Sequence, residues 1–120
     1  MPKLLIVDDE VDIREFAKRF FSKRGIDVTT ASNGEEALIA VEQHKPDLVL
    51  LDITMEKMSG VEALKKLRER NNQVKVIMVT GIEDEETVKQ AKGYDVKGYI
   101  HKPLILEELE KVVMAELEKK

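Results

Sequence analysis

Apolar and polar positions along the chain follow two alternating patterns. Short solid runs, Leu4-Leu5-Ile6-Val7 and Leu48-Val49-Leu50-Leu51 above all, are bounded by polar residues and read as strands buried on both faces. Between such runs lie longer stretches in which apolar residues recur every three or four positions, the period of an amphipathic helix. The pattern predicts strands over 3–7, 27–31, 47–51, 74–79 and 96–101, and helices over 10–24, 34–44, 60–70, 84–92 and 104–118. Local signals agree. Ile13, Ala17 and Phe20 share a face of the first helix, and Gly25 reads as its C′ residue. Asn33 with Glu36, and Ser59 with Glu62, are helix N-cap pairs. Leu106, Leu109, Val113 and Leu117 form a stripe on the last helix, whereas 84–92 has little beyond Val88 and Ala91 to bury. Repeated strand–helix units imply a parallel α/β sheet with right-handed crossovers and helices on both faces. The chain reads as a single domain over 1–120.

Composition narrows the function classes. At 42% hydrophobic residues the 120-residue chain can build a core. A net charge of −4 argues against general nucleic-acid binding. The absence of cysteine excludes disulfides, zinc thiolates and thiol nucleophiles. The first apolar run stops at Asp8, too short for a signal peptide, and no run reaches membrane-spanning length. A cytoplasmic protein without a membrane partner is expected.

The candidate chemistry lies at the carboxyl ends of the predicted strands. Asp8 and Asp9 end the first run and Asp52 ends the third. In open parallel sheets, ligands collect at those ends. Two like charges ~4 Å apart repel by roughly 4 kcal/mol at an effective dielectric near 20. Three clustered carboxylates therefore imply a cation, and oxygen donors suit a hard one such as Mg2+. Asp9 also reads as a helix N-cap with Asp12 at N3, a role that leaves Asp8 and Asp52 unexplained. Thr80 and Lys102 follow the fourth and fifth runs. A hydroxyl, an ammonium, a metal-binding acidic pair and a further carboxylate are the groups that phosphoryl transfer requires.

The motifs Ile6-Val7-Asp8-Asp9-Glu10, Leu50-Leu51-Asp52-Ile53, Met58-Ser59-Gly60, Val79-Thr80 and Tyr99-Ile100-His101-Lys102-Pro103 together resemble the receiver domain of two-component response regulators, over essentially the whole chain. The resemblance implies a flavodoxin-like, doubly wound five-stranded sheet of order 2-1-3-4-5 with five helices. It implies Asp52 as phosphoacceptor, and Asp8, Asp9, Asp52 and the backbone carbonyl of Thr54 as Mg2+ ligands. Lys102 and Thr80 would contact phosphate oxygens, Thr80 and Tyr99 would form the switch, and Lys102-Pro103 would be cis. The implied partner is a histidine kinase or histidine phosphotransferase. The output face is built from segments 84–92, 96–101 and 104–118, and its target is unknown. The expected state is a monomer, with activation-dependent dimerisation as the alternative, and no direct nucleic-acid contact. Whether the chain stands alone or is part of a larger regulator is left open.

The chain departs from the family pattern at Glu56 (often Pro), Gly81 (often Ala) and Asp95-Val96 (usually Gly-Ala). None of these removes a reactive group. Thr54 and Ile82, two residues past Asp52 and Thr80, are expected to tune the phosphoryl lifetime. Neither offers an acid or amide to orient water, so slow self-dephosphorylation is expected. His101 reads as an exposed strand-end residue, and His44 as a positive group suited to a helix C-terminus. Phe21 is expected to be partly exposed, for a partner kinase helix. Three other readings are weaker. A haloacid-dehalogenase-type hydrolase wants Asp where Thr54 stands. A phosphorylation-independent module would not need the intact acidic, hydroxyl and lysine set. Flavin binding lacks its phosphate loop after the first strand.

Overall fold

The structure is a computed structural model that describes residues 2–53, 55, 58–81, 89 and 92–118. Five strands, β1 (Lys3–Val7), β2 (Asp27–Ala31), β3 (Leu48–Asp52), β4 (Lys75–Thr80) and β5 (Gly98–His101), form one parallel sheet of order β2-β1-β3-β4-β5, as expected. The described α-helices number four: α1 (Val11–Ser22), α2 (Gly34–His44), α3 (Gly60–Glu69) and α4 (Leu106–Glu118). A single 3₁₀ turn at Lys92–Tyr94 precedes β5. The helix expected over 84–92 lies almost wholly outside the described residues, so the count of five is not established. Thr54, Glu56 and Ile82 also lie outside them.

Strand alternation builds the two halves of the core. Leu5, Val7, Val49, Leu51, Val76 and Met78 face α2 and α3, where Leu38, Val41, Leu64 and Leu67 meet them. Leu4, Ile6, Leu48, Leu50, Ile77 and Val79 face the other way, toward Ala17 and Phe21 of α1 and Leu109 and Val113 of α4. Every residue of β3 is buried, which is why its sequence is an unbroken apolar run up to Asp52.

Two caps form as predicted. The Asn33 side chain accepts from the Glu36 amide at 2.9 Å, and Ser59 Oγ from the Glu62 amide at 3.2 Å. The start of α1 differs. Its N-cap is Glu10 rather than Asp9, without a side-chain cap bond, and Asp8 Oδ1 accepts from the Glu10 amide at 2.9 Å. Asp8 therefore has a local backbone role that the sequence pattern assigned to its neighbour. Gly25, with φ of +80°, falls two residues past the C-cap Lys23, one beyond the expected C′ position. Phe21 is fully buried, not partly exposed, and Phe16 is the exposed phenylalanine, at 55%. Helical spacing explains this, since Ile13, Ala17 and Phe21 are four apart and Phe16 turns away.

Candidate functional site

β1 lies between β2 and β3, so the strand order reverses beside β1, with the connections from β1 and from β3 running to opposite sides, and a crevice is left at the strand ends. Asp8 leaves β1 there, its amide held by the Ala31 carbonyl at 3.1 Å and its own carbonyl by Arg14 Nη1 at 2.7 Å. Asp52 ends β3 and is 1% exposed. The Gly60 amide donates to the Ile53 carbonyl at 2.9 Å, and a Cβ on Gly60 would lie 2.3 Å from the Asp52 carbonyl oxygen. Only glycine fits there, which explains Ser59-Gly60 at the start of α3.

Lys102 follows β5, and its Nζ donates to Asp52 Oδ2 at 3.0 Å. The Lys102 amide donates to the Thr80 carbonyl at 2.7 Å, which fixes the base of the lysine against the end of β4. Burial alone would lower the lysine pKa. The Asp52 hydrogen bond, with the charges of Asp52, Asp8 and Glu10, outweighs it, and the pKa is raised. The Lys102-Pro103 bond is cis, as the motif implied.

Asp8, Asp9 and Glu10 bring carboxylate oxygens within 4.8 Å of one another, a set of donors suited to a hard divalent cation. Asp8 is buried while Asp9 and Glu10 are exposed. Burial, reinforced by the Asp52 and Asp9 charges against the Glu10 amide bond and Lys102, pushes the Asp8 pKa up to about 6. A cation at the trio would relieve that strain directly. Glu10, adjacent to the Asp8-Asp9 pair in sequence, is the carboxylate here that was not among the ligands expected from sequence. Of the backbone carbonyl expected at Thr54 nothing is described.

Thr80 is completely buried, and its Oγ1 lies 2.8 Å from Nδ1 of the exposed His101, the residue paired with it in register. Tyr99 packs its ring against the half of the core facing α2 and α3. Among the described residues its hydroxyl is buried without a hydrogen-bond partner, and burial raises its pKa. The strand ends thus gather Asp8, Asp9, Asp52 and Lys102, with Thr80 and Tyr99 on the neighbouring strands. The Thr80–His101 contact was not foreseen.

Comparisons with known proteins show the family and the fold. The chain is 33% identical over 111 residues to sporulation initiation phosphotransferase F of Bacillus subtilis, covering 92% of this chain and 90% of that protein. It is 35% identical over 116 residues to the regulatory protein AtoC of Escherichia coli, covering 97% of this chain but only 25% of AtoC, so it spans a quarter of that relative's length. The crystal structure of a CheY-like response regulator receiver domain protein from Methanospirillum hungatei superposes with a TM-score of 0.91 at 30% identity, covering 98% of this chain and 94% of that one. The family profile described as "Response regulator receiver domain" matches residues 4–114, and the chain belongs to that family.

Proposed function

We propose that this domain is a phosphorylation-dependent signalling switch whose phosphoacceptor is Asp52. The observation that carries the reading is a buried carboxylate at the switch point of the sheet, with the Lys102 ammonium 3.0 Å away and the acidic trio beside it. One Asp52 oxygen attacks phosphorus of a partner's phosphohistidine. The P–N bond breaks, its electron pair stays on the imidazole, and an acyl phosphate forms. Lys102 holds charge that builds on the phosphoryl oxygens, and the Thr80 hydroxyl donates to another. Asp8 and Asp9, with Asp52, the Thr54 carbonyl and now Glu10 as neighbour, would hold Mg2+, the ion receiver domains use. When bound, the ion supplies charge neutralisation at the phosphoryl group.

Receiver domains are signalling proteins rather than classical enzymes, and the chemistry proposed here acts on the domain's own side chain. Thr80 and Tyr99 form the proposed switch. Among the described residues the buried Tyr99 hydroxyl has no partner, and a buried hydroxyl left unsatisfied costs about 1–3 kcal/mol, which favours a second position for the ring. The response would appear on β5, α4 and segment 84–92, where an output protein binds. Thr54 and Ile82 are proposed to set the phosphoryl lifetime, and Ile82→Glu or Thr54→Asn should quicken hydrolysis.

The proposed donor is a histidine kinase or histidine phosphotransferase. Support comes from an apolar cavity of about 280 Å³ beside Lys102, lined by Ile13, Phe16, Pro103, Leu104 and Leu109. Phe16, which lines that cavity, is more than half exposed, as a docking helix would need. Residues 1–120 are read as one receiver domain, monomeric at rest and cytoplasmic; among the described residues no helix is long and apolar enough to cross a membrane. The test is intact mass after incubation with acetyl phosphate and Mg2+. One added phosphoryl group, absent in Asp52→Ala, is expected; no addition, or equal addition to the variant, would refute the reading.

A further inference from the structure

The side chain of Thr80 is completely buried, so its hydroxyl must form its hydrogen bonds within the protein. The partner the structure gives it is His101 Nδ1, at 2.8 Å. With its proton on Nε2, a neutral imidazole offers Nδ1 as an acceptor, and the Thr80 O–H donates to it. The other ring nitrogen belongs to an exposed residue and needs no protein partner. The same strand end carries Lys102, whose ammonium sits on Asp52. Two consecutive residues thus bear on the proposed phosphoryl site, His101 through its ring on the Thr80 hydroxyl and Lys102 through its ammonium on Asp52.

We propose that His101 is a positioning residue for the switch: it holds the Thr80 hydroxyl in the resting molecule and gives it up when a phosphoryl oxygen claims it. The inference rests on the roles of Asp52 and Thr80 proposed above and adds a restraint to them. A hydroxyl has one proton to donate, so it cannot serve Nδ1 and a phosphoryl oxygen at once. Activation exchanges one hydrogen bond for another. Removing the acceptor leaves a buried hydroxyl unsatisfied at rest only, and the balance shifts toward the active form. Asn at 101 places an amide oxygen where Nδ1 was and restores the restraint; Leu at 101 removes it.

The experiment uses the full chain and beryllofluoride with Mg2+ as the phosphoryl mimic. In ¹⁵N-histidine-labelled protein, the His101 Nδ1 resonance should carry the signature of an accepted hydrogen bond and lose it at saturation. His101→Leu should bind the mimic about five- to tenfold more tightly than the native chain, and His101→Asn about as the native chain does. A purely structural role for the ring would change thermal stability but neither the resonance nor the affinity ratio. Asp52-dependent binding with an unmoved Nδ1 resonance overturns the proposal. So does His101→Leu binding no more tightly than native. Binding that persists in Asp52→Ala, or no binding at all, overturns the underlying assignment of Asp52, and the restraint falls with it.

Discussion

Lys102 Nζ and Asp52 Oδ2 meet at 3.0 Å across 50 residues of sequence, an ion pair in which the carboxylate is almost fully buried and the lysine less so. Such a pair is weak evidence for stability, but breaking it is expensive, because one charge is left without its counter-charge. Lys102→Met should destabilise the metal-free domain by about 1–3 kcal/mol at neutral pH, the partial exposure of the lysine keeping the loss below that of a dry pair. Adding Asp52→Asn to it should recover most of the loss. Urea denaturation of the two single variants and the double variant reads the coupling, and additive losses would show that the pair is not coupled.

Asp8 makes stability depend on pH in an unusual direction. Its folded pKa of about 6 lies above the ordinary 3.8, so the folded state binds the proton more tightly than the unfolded chain. Ionising it therefore costs stability. The penalty is absent below about 3.8, grows between 3.8 and 6, and is complete above that, at most about 3 kcal/mol. Asp8→Asn keeps an oxygen for the Glu10 amide and removes the charge. Without Mg2+ it should melt higher than the native chain at pH 7.5, and the advantage should shrink by pH 4.5. Mg2+ should stabilise only the native chain, with affinity falling as pH drops through about 6. Calorimetry at both pH values, with and without Mg2+, checks all three.

Gly60 is fixed by backbone rather than by a ligand. A methyl group there meets the Asp52 carbonyl oxygen at 2.3 Å and the Ile53 Cα at 2.9 Å, neither of which can swing aside. Gly60→Ala should cost about 1–3 kcal/mol and displace the Asp52 carboxylate, slowing phosphorylation as well. Gly93, where nothing lies within 4 Å of an added Cβ, is the control. Gly93→Ala should be close to neutral in the same denaturation assay.

Tyr99 carries a buried hydroxyl with no partner among the described residues. Tyr99→Phe removes the unsatisfied group and keeps the ring in the core. It should raise resting stability by about 1 kcal/mol. If the ring is part of the switch, the same change should alter binding of an output protein without changing the rate of phosphorylation by acetyl phosphate.

The strands were legible because burial on both faces leaves an unbroken apolar run, as Leu48-Val49-Leu50-Leu51 does, and helices α2 and α3 because Asn33 and Ser59 announce their caps. Asp8, Asp52 and Lys102 could be gathered at one edge because strand ends in a parallel sheet share an edge, and the observed Asp52–Lys102 contact bears that out. Other features depended on three-dimensional detail that one-dimensional pattern does not carry. The cap at Glu10 rather than Asp9 turned on which carboxylate bends back to an amide. Phe20 and Phe21 differ by one position, and only the helix rotation decides which is buried. Arg24 stacks 3.6 Å over the Phe20 ring, a use of that side chain that periodicity alone does not reveal. The His101 contact with Thr80 needed the register of β4 against β5.

Asp52 is the one carboxylate expected to become an acyl phosphate. Borohydride cleaves such a phosphate reductively and turns the aspartate that carried it into homoserine. After phosphorylation, reduction and peptide sequencing, homoserine should occur at position 52 and at no other acidic residue. Homoserine at Asp8 or Asp9, or aspartate unchanged at 52 in protein that had gained a phosphoryl group, would contradict the account.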